Sequence, residues 1–215
     1  PQGRRVIERI DELGWTSIRG NHEDYLLQFR RREVPDEWLV ADIWAASRWM
    51  AEELDPWHAD YIDRLPLSGT AEATDGRRLV HGSPTSYQEG IGPWTSDETI
   101  CEHLDSIEES LLVCAHTHRP LDRRVPNGRV VNVGSVGLPF NGDPRAQYAI
   151  FESDGEDWNV EFRQVEYDRS AFLQIYETSG FLADGGLTAA ILRMEVAAAR
   201  PFLVPFQIGR ASCRE

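Results

Sequence analysis

Leu111-Leu112-Val113-Cys114-Ala115-His116-Thr117-His118 is the stretch on which the reading of the fold turns. Leu111 to Cys114, a short apolar run, reads as a strand. Two imidazoles follow where such a strand would end, and neutral imidazole is a good nitrogen donor to one or two cations. The same order recurs elsewhere. Arg78 to Val80 runs into His81-Gly82-Ser83-Pro84, and Arg129 to Val133 runs into Gly134-Ser135. Trp15 to Ile18 is a short apolar run, expected as a further strand, ahead of Arg19-Gly20-Asn21-His22-Glu23 and a helix through Arg31. Ligands of open α/β sheets bind outside the carboxyl ends of strands, so Asn21, His81, His116 and His118 are expected to converge on one site.

Outward from these loops, a strand is expected around Thr70 to Thr74. A hairpin is expected from Tyr148 to Glu152 and Val160 to Val165, joined through Asp154-Gly155. Val34 to Leu65 reads as a helical excursion divided by Pro35 and Pro56 and closed by Pro66, with helices again over Ser170 to Ser179 and Leu187 to Ala199. Trp38, Trp44 and Trp49 in the excursion read as local core, its exposed edge as a filter on access to the site. Taken singly, the motifs also have plain structural readings. Asn21 can serve as a helix N-cap with Glu23 and Asp24 in the first turn. His58 and His103 read as surface histidines, and Asp105, Glu108 and Glu109 as a solvated helix face.

Composition narrows the chemistry. The 215 residues carry 36 acidic and 22 basic side chains, all of the latter Arg, for a formal charge of −14. Such a surface repels phosphate backbones, so no nucleic-acid surface is expected. Cys101, Cys114 and Cys213 are too few and too scattered for a disulfide framework or a metal knuckle, which suits a reducing, cytoplasmic setting. No apolar run approaches the roughly 20 residues of a membrane span, so no membrane partner is expected. One domain over residues 1–207 is expected. Residues 208–215 are expected to be a non-native tail, since Ile208 to Glu215 is what read-through into a common sequencing adapter would encode. Val6 to Leu13 reads as the second half of an amphipathic helix, so an upstream segment is expected to be absent.

In order, Gly20-Asn21-His22-Glu23, His81-Gly82, Ala115-His116-Thr117-His118, Asn132-Val133-Gly134-Ser135-Val136-Gly137 and Gly142-Asp143-Pro144-Arg145-Ala146 form a specific set. From about Gly3 to Val165 the chain resembles the calcineurin-like metallophosphoesterase family, and within it the small bacterial phosphodiesterase branch. Ala115 stands where the family usually has glycine, and Val133 where this branch often has proline.

The resemblance implies an α/β fold, a four-layer αββα sandwich, here lacking its first βαβ unit of on the order of 30 to 40 residues. It implies two divalent metal ions, Mn²⁺, Fe²⁺, Zn²⁺ or Ni²⁺, clamping a small-molecule phosphate ester. By motif, Asn21, His81 and His116 would bind the second metal and His118 the first, while His22 would act at the leaving oxygen. The implied reaction is hydrolysis of phosphodiesters or nucleotide-type phosphate esters by a metal-bridging hydroxide. The family's Asp-x-His and Gly-Asp strand ends are not in this chain, so the activity is expected of a parent protein and little of the fragment itself. Two other readings stand beside it: a phosphatase of phosphoproteins or dinucleoside polyphosphates, and a non-catalytic scaffold on the same fold. Arg145 is either a loop residue paired with Asp143 or a contact for substrate phosphate.

Overall fold

Leu111–Cys114 is the strand β3, and all four residues are buried. In the computed structural model, which describes residues 1–70, 76–155 and 157–204, β3 is the middle of a five-stranded sheet. Its neighbours are β2 (Arg77–Val80) and β5 (Gly128–Asn132), both parallel to it. Beyond them, β1 (Ser68–Thr70) and β4 (Leu121–Val125) add antiparallel edges, giving the order β1-β2-β3-β5-β4. The hairpin β6 (Ala146–Ser153) and β7 (Trp158–Val165) forms a second sheet.

Alternation along β3 explains why its sequence is apolar without interruption. Leu112 and Cys114 face one way, with Val80 and Val130, onto Ile100 and Leu104 of the helix Asp97–Asp105. Leu111 and Val113 face the other way, with Val131, onto Phe151, Trp158, Val160 and Phe162 of the hairpin. A helix, a sheet and a second sheet therefore stack in that order. Leu112, Val130 and Val131 are fully buried, each worth about 1.5–3 kcal/mol of transfer free energy.

The chain divides into two units, Pro1–Leu65 with Asp168–Glu215, and Pro66–Tyr167. The second contains both sheets. The first is helical. In chain order its α-helices are α1 (Gly3–Glu12), α2 (Asn21–Arg31), α3 (Ala45–Glu52) and α4 (Pro56–Arg64), and after the second unit's helix α5 (Asp97–Asp105) come α6 (Arg169–Thr178), α7 (Phe181–Asp184) and α8 (Gly186–Ala198).

Several expectations are corrected here. Trp15 to Ile18 is irregular and not a strand, because no described residue supplies the paired backbone that an extended segment needs. Trp15 is 64% exposed. β4 escaped notice because Leu121-Asp122-Arg123-Arg124-Val125 is charged on its outward positions, as befits an edge strand. Residues 71–74 of one expected strand, and the tail 208–215, lie outside the described residues. His58 and His103 are buried, since each sits on the inward face of its helix. His58 Nε2 lies 3.1 Å from Glu8 Oε1. The helix ends at Asp105, so Glu108 and Glu109 are not on it, and Glu109 pairs with Arg78 at 3.0 Å.

Trp38, Trp44 and Trp49 are half-buried and pack against buried residues, while Trp57 is exposed. Trp38 and Trp44 stack at 4.0 Å between ring centres, with Tyr25 and Phe29 of α2 around them, and Trp49 packs on Phe181 at 5.0 Å.

Candidate metal centre

β2 and β3 run parallel and end side by side, so the loops that leave them are neighbours. The Ala115 amide donates to the His81 carbonyl at 2.9 Å, extending that pairing one step past the strands. His81 Nε2 then faces His116 Nδ1 at 3.0 Å. Two nitrogens that share one cation, each about 2.0–2.1 Å from it at angles of roughly 90 to 109°, stand about 2.9–3.4 Å apart. The observed spacing is thus that of a hydrogen bond and also that of adjacent ligands on one ion, so this pair fits a metal.

His116 reaches this position through an unusual backbone. Its φ is 57°, and the Thr117 amide donates back to the Ala115 carbonyl at 2.6 Å, closing a three-residue turn. His118 also has φ 57°. Left-handed non-glycine residues cost on the order of 1–3 kcal/mol each and persist only where their surroundings impose them. Asn132, fully buried at the end of β5, imposes this one. Its side-chain amide shares its two hydrogens among the Ile91 carbonyl at 3.0 Å, Thr117 Oγ1 at 3.0 Å and the Ala115 carbonyl, while its Oδ1 accepts from the Gly134 amide at 3.1 Å. Gly90 lies against the same loop, where a Cβ would come within 2.6 Å of Thr117 Cγ2.

His118 Nδ1 donates to the Leu138 carbonyl at 2.6 Å. That bond fixes the proton on Nδ1, the orienting contact that metal-binding histidines usually have. The ring also stacks on Phe140, 4.9 Å between centres.

Asn21 and His22 belong to the other unit. Asn21 is buried as the first residue of α2, not its N-cap: Gly20 holds that position, and its amide donates to Glu23 Oε2 at 2.9 Å. His22 is exposed and lies edge-on to Tyr25 at 5.7 Å. Among the described residues no group of three or more His, Cys, Asp or Glu side chains gathers into a metal site; the His81–His116 pair is what the sheet assembles.

Arg145 resolves to the first of its two readings. Its Nε lies 3.0 Å from Asp143 Oδ1 and its Nη2 2.6 Å from Asp143 Oδ2, so its charge is spent within its own turn. That carboxylate lifts the Arg145 pKa further above its ordinary value.

The parallel strand ends bring the histidine pair and the His-x-His loop to one edge of an α/β sheet, where ligands of such sheets bind. Residues 3–156 match the calcineurin-like phosphoesterase superfamily domain, and the chain belongs to that superfamily, whose members hydrolyse phosphate esters with divalent metal ions. It is similar to a metallophosphoesterase from Sphaerobacter thermophilus, 27% identical, with a TM-score of 0.69 over 91% of this chain and 81% of that one. A hypothetical protein from Pyrococcus horikoshii is likewise 27% identical, with a TM-score of 0.70 over 89% of this chain and 79% of its own. An uncharacterised protein of Methanocaldococcus jannaschii is 25% identical over 182 residues, 75% of this chain and 69% of its length. No helix among the described residues is long and apolar enough to cross a membrane.

Proposed function

We propose that this chain carries the site of a binuclear metal-dependent phosphoesterase acting on phosphodiesters or nucleotide-type phosphate esters. The observation that carries the reading is the 3.0 Å approach of His81 Nε2 to His116 Nδ1 beside a His118 whose proton is held on Nδ1. Three imidazoles are thereby brought to adjacent strand ends, and neutral imidazole suits Mn²⁺, Fe²⁺, Zn²⁺ or Ni²⁺. When bound, such ions would neutralise phosphoryl charge and supply acidified water.

The protein's own residues have separate tasks. His81 and His116 hold one ion, and His118 addresses the other. Asn132 keeps the loop in the conformation that directs His116. The family motif adds Asn21 to the first of these ligand sets and gives His22 the leaving oxygen, to which an imidazole can deliver a proton. A phosphomonoesterase acting on phosphoproteins or dinucleoside polyphosphates would use the same groups, so substrate profiling separates the two.

Metal affinity is the direct test, because it reads the ligand set without depending on the choice of substrate. Titration of the purified protein with Mn²⁺ or Zn²⁺ should show saturable binding that His81→Ala and His116→Ala each weaken about tenfold to a hundredfold. Equal affinity in the wild type and both variants would overturn the assignment.

A further inference from the structure

Eight arginines fall within Pro66–Tyr167. Six are paired with a carboxylate: Arg78, Arg123, Arg124, Arg129, Arg145 and Arg163. A seventh, Arg77, lies 4.1 Å from the centre of the Trp158 ring and 5.6 Å from that of Phe151, where burial lowers its pKa. Arg119 alone among the described residues of this unit has neither a carboxylate nor such burial. It directly follows His118.

Its placement is built. Arg119 Nε donates to the Phe140 carbonyl at 3.0 Å, and the guanidinium carbon lies 5.2 Å from the centre of the Trp94 ring. Phe140 is the same residue whose ring stacks on His118, so one side chain and its backbone brace both the candidate metal ligand and the guanidinium. The Trp94 ring, 61% exposed, lies over Gly92, where a Cβ would come within 2.6 Å of it. With Nε committed, the two terminal nitrogens keep their N–H groups for a ligand. A guanidinium fork meets two oxygens of one phosphate, which an isolated ammonium cannot do.

We infer that Arg119 is a substrate-contact residue that binds phosphate oxygens of the ester next to His118, with Trp94 as the residue that positions it. In a protein of net charge −14 an anionic substrate needs a local positive charge to offset the overall field. An arginine left without a carboxylate at this loop, where six of the unit's seven other arginines have acidic partners, supplies one. The inference rests on the phosphoesterase reading for the identity of the ligand, but its anion-binding part can be measured without turnover.

The probe is inorganic phosphate, titrated calorimetrically into the Mn²⁺-supplemented protein, followed by kinetics on bis(p-nitrophenyl) phosphate. Arg119→Ala should weaken phosphate binding and raise KM by about tenfold to a hundredfold, with a smaller change in kcat. Arg119→Lys should recover part of the loss, and Trp94→Phe should lie closer to the wild type than Trp94→Ala. Arg163→Ala, which removes the same charge elsewhere on the unit, should match the wild type. Phosphate affinity unchanged in Arg119→Ala would overturn the inference even if hydrolysis is intact, as would a wild type that binds no phosphate. Arg119-dependent phosphate binding without hydrolysis of any ester would uphold it and count against the phosphoesterase reading.

Discussion

At the scale of single residues, Asn132 shows how much of a site can rest on a group that touches no ligand. Its amide bonds reach residues 41, 17 and 15 positions away, and together they hold His116 at positive φ. Removing the amide leaves buried carbonyls at Ile91 and Ala115 without that donor, a loss of about 1–3 kcal/mol for each group stranded. Asn132→Ala is therefore expected to lower the urea-unfolding free energy by about 2 kcal/mol or more and to weaken metal binding in the same preparation. Asn132→Asp keeps the shape and the acceptor but not the two donor hydrogens, and should be nearly as damaging. A variant with wild-type stability and metal affinity would show that the loop holds its own conformation. His81 and His116 were legible in the sequence because strand-end loops on neighbouring parallel strands must meet. The role of Asn132 was not, since its partners are assembled only by the sheet. Arg145 teaches the converse: its suitability for phosphate was evident, but Asp143 two positions away had already claimed it.

Among the elements, the excursion of residues 34–65 proves to be part of a core. Ala45, Ala46 and Ala51 of α3 and Ile62 of α4 are buried. Thr188 of α8 donates its hydroxyl to the carbonyls of Asp42 at 2.8 Å and Ile43 at 3.1 Å, tying two distant stretches of chain together. Deleting the segment would therefore unfold its unit before it could report on substrate choice. α8 also carries Glu195, which is 2% exposed and accepts the backbone amides of Phe202 and Leu203, both at 2.7 Å. Burial raises its pKa, and the two amides partly counter that. A carboxyl whose folded pKa lies above its unfolded value favours the folded state while protonated, and that advantage is lost as pH rises through the folded pKa. Glu195→Gln keeps an acceptor oxygen and has no charge to bury. Its stability relative to the wild type should accordingly grow as pH rises from about 4.5, the ordinary value for Glu, and then level off. Parallel urea midpoints for the two proteins across this range would disprove the expectation.

For the molecule as a whole, the charge of −14 governs long-range encounters. Duplex DNA at low salt is expected to leave the protein's mobility unchanged in a gel-shift assay, and retention that fades with added salt would contradict the expectation. Charge, apolar runs and loop motifs are properties that a linear chain displays directly. They sufficed for the α/β class, for β3 to the residue, for a hairpin near its true limits and for the histidines that belong at strand ends. Other features depend on partners that local sequence does not name. Trp15 to Ile18 has the composition of a strand but no paired backbone among the described residues, and the polar β4 is a strand because β5 offers it one. The burial of His58 and His103 was decided by which face of each helix turns inward. Arg119 was passed over in the sequence as one arginine among 22. It stands out only in the folded unit, where six of its seven companions are neutralised by carboxylates and the seventh lies beneath aromatic rings. Sequence determines which chemical groups are present and the local periodicity they follow, whereas tertiary structure decides which of those groups are already satisfied and which remain able to bind.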